Sequence, residues 1–257
     1  MTLREKFIAF KTILIKEVLR FARIWLQTIV PPVITTSLYF VIFGNLIGPR
    51  IGSMAGVPYM NYIVPGLIML AVISNSYSNV VSSFYGSKFH RHIEEMMVSP
   101  IPTYLIIAGF VSGGLARGLS VGIAVTTVSL LFSHLHIHNL AVIVSVVVLT
   151  SILFSLAGLL NGIFAKSFDD ISIIPTFVLT PLTYLGGIFY SIQMLSPFWQ
   201  KVSLANPILY MINTFRYGFL GVSDISLVVS YSIIIAFVIA LYSLAWYLLK
   251  TGYGIRK

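Results

Sequence analysis

The chain contains no cysteine, which excludes disulfides and thiolate-held metal sites. Charge is nearly as scarce. Asp, Glu, Lys and Arg make up 9% of the 257 residues, where a soluble domain carries roughly 25%. None of the four occurs between Arg23 and Arg50, Arg50 and Lys88, Glu95 and Arg117, Arg117 and Lys166, Asp170 and Lys201, or Asp224 and Lys250. What fills these gaps is apolar: 58% of the residues are hydrophobic and the mean hydropathy is +0.96. A helix needs ~20 such residues to cross a bilayer core. The composition is that of an all-α membrane protein. The first 23 residues carry six Lys/Arg without a long apolar core or a small-residue cleavage site, so they are read as part of the protein and not as a secretory leader. The pI of 9.8 reflects membrane topology more simply than nucleic-acid binding, and no nucleic-acid partner is expected.

Six spans are expected, near 24–47, 59–84, 103–132, 139–165, 171–192 and 226–249, in a single domain covering 1–257. Residues 1–23 form an amphipathic helix. Leu3, Phe7, Phe10, Leu14, Val18 and Phe21 recur at helical spacing, with Arg4, Lys6, Lys11, Lys16, Arg20 and Arg23 supplying the polar side. That pattern suits a helix in the headgroup region facing anionic lipid, or a helix packed on the rest of the protein. Pro31-Pro32 should kink the first span, and the Gly- and Pro-rich 44–58 reads as a loop. With the N-terminus inside, the inner segments hold twelve Lys/Arg and the outer ones three, namely Arg50, Lys201 and Arg216. Both termini are therefore expected in the cytoplasm. Residues 193–225 are largely apolar but too interrupted to span, and read as outer helices that lie on or dip into the membrane.

No enzyme site stands out. His134, His136 and His138 alternate, but no carboxylate shares their loop to complete a metal shell. Gly162-Ile-Phe-Ala-Lys-Ser167 fails as a phosphate loop because Ala165, not Gly, precedes Lys166. No cofactor site is expected in this chain; if ATP drives it, the nucleotide sits on another subunit. Arg117 lies 14 residues into the third span, a costly place for a cation. Gate, substrate contact and structural pin all remain open for it. Asn75 and Asn79 share a helical face, as Thr176, Thr180 and Thr183 nearly do, with Tyr184 beside them. These polar side chains either line a path for neutral or amphiphilic cargo or bond helices together.

A polar helix over 86–99 interrupts the apolar run. Phe89, Ile93, Met96 and Met97 fall on one side, Lys88, Arg91, His92 and Glu95 on the other, and Ser99-Pro100 ends it. Arg91 is placed to pair with Glu94 and Glu95. Such a helix either merely turns the chain or offers a docking surface.

The sequence Glu94-Glu95-Met96-Met97-Val98-Ser99-Pro100 resembles the coupling helix of ABC-2 type transporter permeases: an acidic residue, two apolar residues and Ser/Thr-Pro. A second mark precedes the last span: Asn206-Pro207, Tyr210, Arg216 and Gly221. The runs Ser155–Gly162, Phe168–Ile171 and Pro175–Gly187 are also similar to those of a bacterial inner-membrane permease of this family. The resemblance covers the whole chain. It implies a homodimeric exporter half in the bacterial inner membrane, driven by a separate ATPase subunit that binds ATP and Mg. It also implies ATPase contacts at Lys88, His90, Arg91, Glu94, Glu95, Met96, Met97, Ser99 and Pro100, with a second contact at Asp169 and Asp170. The alternative is an ion-coupled secondary transporter. Against it, Glu5, Glu17, Glu94, Glu95, Asp169, Asp170 and Asp224 all fall at span ends or in loops.

Overall fold

The computed structural model describes residues 1–133 and 135–254. His134, Arg256 and Lys257 lie outside them. Helix α1 (Leu3–Arg23) begins with a capping box: Thr2 Oγ1 accepts the Glu5 amide at 3.3 Å and the Glu5 carboxylate accepts the Thr2 amide at 2.9 Å. Its buried positions, Ile13, Glu17 and Phe21, recur every four residues and face helix α6 (Thr103–Ser129). Leu3, Phe7, Ile8, Ile15 and Leu19 stay exposed on its other flank. Helix α1 thus packs on α6 and leaves an apolar edge uncovered by the chain.

Helix α2 (Trp25–Tyr39) runs through Pro31-Pro32 without ending. It widens into π-turns over Phe40–Ile47 and closes in α3 (Gly48–Ile51). Pro49, which has no amide to donate, sits where the widened stretch ends. The expected loop over 44–58 is thus helical as far as Ile51. The remainder is a hairpin, β1 (Ser53–Met54) and β2 (Val57–Pro58), turned by Ala55 and Gly56 at φ 51° and 80°.

Helix α4 (Tyr59–Phe89) is the axis of the molecule and is buried along most of its length. Helices α6 and α7 (Leu140–Phe164) lie against it at glycines: a Cβ on Gly158 would sit 2.5 Å from the Tyr77 carbonyl. This close approach accounts for the small residues of the 155–162 run. Short α5 (His92–Val98) joins α4 to α6. Helix α12 (Leu227–Thr251) packs on α7 through Ala245, Leu248 and Leu249 and is otherwise largely exposed.

The region 171–192 departs most from expectation. It forms α8 (Asp170–Ile174), π-turns over Pro175–Leu179, and α9 (Thr180–Tyr184), then reverses at Gly187 with φ +74°. Fifteen helical residues reach roughly 22 Å, short of a bilayer core. Among the described residues, five helical stretches are long and apolar enough to cross a membrane: Trp25–Ile51, Tyr59–Phe89, Thr103–Ser129, Leu140–Phe164 and Leu227–Thr251. The 193–225 region holds α10 (Pro197–Leu204) and α11 (Pro207–Leu220), as its interrupted pattern suggested.

Candidate functional site

Helices α2, α4 and α9 enclose a cleft of about 380 Å³. Thr35, Thr36, Ser74, Asn75, Ser78, Thr180 and Thr183 give its wall hydroxyls and one amide, while Pro31, Pro32, Leu70 and Leu179 make the rest apolar. Rings gather beside Tyr39 and Tyr184: Phe43 stacks on Phe189 at 4.7 Å, and Tyr39 and Tyr184 lie 5.8 and 6.3 Å from Phe189. Of the seven proposed path residues, Asn75, Thr180, Thr183 and Tyr184 meet here. Thr176 does not; it is exposed elsewhere on the helix. The hydroxyls of Thr180 and Thr183 donate within their own segment, to the Pro175 and Thr180 carbonyls at 2.9 and 2.7 Å.

Asn75 and Asn79 share a face in sequence but part company in space. Asn75 Oδ1 accepts from Arg117 Nη2 at 3.1 Å, behind the cleft wall. Asn79 is fully buried, and both its carbonyl and its Oδ1 accept from Arg20 Nη2 at 2.7 Å. Arg20 and its neighbour Glu17 were absent from the expected site. Glu17 has 0% exposure, accepts from Ser83 Oγ at 2.6 Å, and lies 3.5 Å from Arg20 Nε. Sequence reasoning set this carboxylate at a span end; its four-residue spacing with Ile13 and Phe21 is the signal that it points inward.

At the C-terminal end of α4 the polar helix is shorter than its pattern suggested. Residues 86–89 belong to α4, and the chain breaks at His90-Arg91, with Arg91 in the left-handed region at φ 62°. Ile93 anchors α5, fully buried among Phe84, Phe110 and Leu159, with Met96 and Met97 half-buried against the same cluster. Ser99 closes α5 by donating to the Met96 carbonyl at 2.6 Å, and Pro100 follows, exposed. His90, Arg91, Glu94 and Glu95 are exposed, and Arg91 pairs with neither glutamate. Lys88 turns back instead: its Nζ donates to the Ile163 and Ala165 carbonyls at 2.6 and 2.8 Å, capping α7.

The 166–170 turn joins this tip. Phe168, 54% exposed, meets Tyr85 edge-on at 4.9 Å and Phe89 at 5.2 Å; Phe89 is 59% exposed and Val98 87%. Asp169 is exposed. Asp170 is spent on local structure: its carboxylate accepts the Lys166 and Ser167 amides at 2.8 and 3.1 Å, and its own amide donates to Ser167 Oγ. The Lys166 amide, then Ser167, holds this carboxyl below its usual range.

The second sequence mark is structural in every member. Asn206 caps α11 through the Ile208 amide and donates to the Leu182 carbonyl at 2.6 Å, and Pro207 occupies the first helical turn. Tyr210 Oη donates to the Leu204 carbonyl at 2.6 Å. Gly221 ends α11 at φ +70°, where a Cβ would press on the His138 ring. Arg216 is 2% exposed; it donates to the Gly187 and Tyr62 carbonyls at 2.6 and 3.3 Å and lies 3.8 Å over the Tyr62 ring. Among the expected outer cations, only Arg50 and Lys201 are therefore surface charges. His136 is exposed and His138 packs edge-on against Tyr217; no group of three or more His, Asp or Glu among the described residues is placed to hold a metal ion.

Comparison with known sequences matches the ABC-2 type transporter family over residues 8–220. The chain is 60% identical over 250 residues to the Inner membrane transport permease YadH of Escherichia coli (strain K12), covering 97% of this chain and 98% of that one. The same figures hold for the YadH of Shigella flexneri. Nodulation protein J of Neorhizobium galegae is 22% identical over 74% of each chain.

Proposed function

Because the chain belongs to the ABC-2 type transporter family, we propose that it is the membrane-spanning subunit of an ATP-driven exporter in the bacterial inner membrane. Two copies form the path, and a separate ATPase subunit binds ATP and Mg. The observation that carries this reading is the tip of α4. Exposed Phe89, Val98 and Phe168 beside Glu94, Glu95 and Asp169 make one apolar and acidic surface from two segments, in a chain without a phosphate loop of its own. A partner groove would cover these side chains.

In this reading the α5 tip lies on the cytoplasmic side with both termini. ATP-driven closure of the ATPase pair pushes on α5 and the 166–170 turn. Ile93 passes that push to the Phe84–Phe110–Leu159 cluster, and α4 carries it to the cleft. The cleft is walled on three sides by α2, α4 and α9, and the second copy supplies the remaining wall. Helices α8–α9 run outward from the 166–170 turn and, with the reversal at Gly187, form the fifth of six crossings, and α10–α11 re-enter the outer leaflet. The uncharged, hydroxyl-rich wall suits neutral or amphiphilic cargo.

Reconstitution with the ATPase subunit tests this. Transport should require ATP, and removing the ion gradient should leave it intact. An ion-coupled carrier has one observation in its favour, the burial of Glu17, the one buried carboxylate among the described residues. Arg20 neutralises that charge, which favours a fixed role over a titrating one. Transport that persists without ATP and collapses with the gradient overturns the ATPase reading.

A further inference from the structure

Glu17 is an odd residue to bury. Ile13 and Phe21, one turn to either side, already supply apolar contact. On α6, a Cβ on Gly109 would run into the Ile13 side chain, and one on Gly113 would sit 2.5 Å from Glu17 Cβ, so α1 lies as close as backbone allows. Into this contact the sequence sets a carboxylate whose Oε2 accepts no hydrogen bond, 3.5 Å from an Arg20 Nε that donates none. An apolar side chain of similar volume would hold two helices together at no desolvation cost. What the polar group adds is register. Lys16 donates to Ser87 Oγ at 3.3 Å, Glu17 accepts from Ser83, and Arg20 bonds Asn79 and Ser82. These partners lie one or two turns apart on one stripe of α4, directly before α5. Lys16 also borders the groove beside His92, Glu95, Met96 and Ser99 of the α5 segment. Sliding or rotating α1 by one residue would leave Glu17 buried without Ser83 and take Arg20 away from Asn79.

We propose that Glu17 is a positioning residue for transport: with Arg20 it bolts α1 to α4 in one register over α6, so that α1, α5, α6 and the lower half of α4 move as a single lever. This rests on the ATPase-driven reading only for what pushes the lever.

The absence of native cysteine makes the test clean. Glu17→Leu is compared with the unsubstituted chain in proteoliposomes containing the ATPase subunit. A residue kept merely for stability would lower Tm and transport together. A register pin gives another result: whatever the unpartnered Arg20 costs in Tm, the folded complex keeps its ATPase binding and transports less cargo per ATP by roughly tenfold or more. Ile13→Cys with Gly109→Cys, added to Glu17→Leu, then restores transport when oxidised and not when reduced. The two Cβ atoms start 2.8 Å apart, so the disulfide needs about 1 Å of give. Lys16→Cys with Ser87→Cys, joined by a short bifunctional thiosulfonate, is the second route should the glycine site not tolerate substitution. Normal transport by Glu17→Leu overturns the proposal, and so does loss of transport when the cross-link is made in the otherwise unsubstituted chain. If transport proves independent of ATP, the ATPase reading fails by itself, and the same variants are scored on transport rate alone.

Discussion

The two sequence marks of this chain, one at the α4–α5 tip and one in α11, are built from similar residues and put to opposite uses. In α11, every polar group turns inward. Asn206 and Gly221 cap the helix, and Arg216 ties two carbonyls from other segments under a Tyr62 ring. At the tip, Arg91, Glu94 and Glu95 point outward without pairing, next to bare Phe89 and Val98. A group whose bonds are all made within the chain explains itself by stability. A group left exposed among apolar neighbours does not, and the proposed function explains it by a partner. The same resemblance to a family therefore covers one motif bonded within the chain and one surface left exposed, and geometry separates them.

Arg216→Ala should be the most damaging change to the fold. It strips donors from the Gly187 and Tyr62 carbonyls and empties a large buried site. The expected loss is about 2–5 kcal/mol, seen as a lower Tm in detergent and a broadened size-exclusion peak. A fully stable variant would move α11 into the same class as the tip. Asn206→Ala is milder. It removes the α11 cap and the bond to Leu182, for about 1–2 kcal/mol, with transport falling only in proportion to folded protein. Transport lost at normal stability would show that Asn206 has a role beyond capping.

Much of this division was legible in the residues, and the reasons for the exceptions are physical. Charge-free gaps located four long helices to within a few residues at their starts, because bilayer thickness sets a length that hydropathy reports directly. Asn206-Pro207 and Gly221 stood out only as a family mark, and their capping of α11 comes from the structure. The 44–58 segment misled because Gly and Pro weaken a helix without forbidding it; packing carries α3 through to Ile51. The 171–192 segment is apolar enough for a span, but Gly186-Gly187 lets the chain reverse, and Arg216 reaches the Gly187 carbonyl to hold the reversal. Lys88 looked like a docking charge because the carbonyls it caps, on α7, are remote in sequence. Glu17 was the largest omission. One of two carboxylates among six cations, it reads as surface charge until its alignment with Ile13 and Phe21 is noticed.

At the tip the expected effect on stability is the smallest, and the effect on function the most telling. Glu94→Ala with Glu95→Ala removes two exposed carboxylates that form no ion pair among the described residues, so stability should hold to within about 0.5 kcal/mol. The decisive measurement is cargo transported per ATP hydrolysed by this variant, reconstituted with the ATPase subunit. The account predicts weakened ATPase binding, or ATP hydrolysis that no longer drives transport, at unchanged stability. Unchanged complex formation together with unchanged transport per ATP would contradict it.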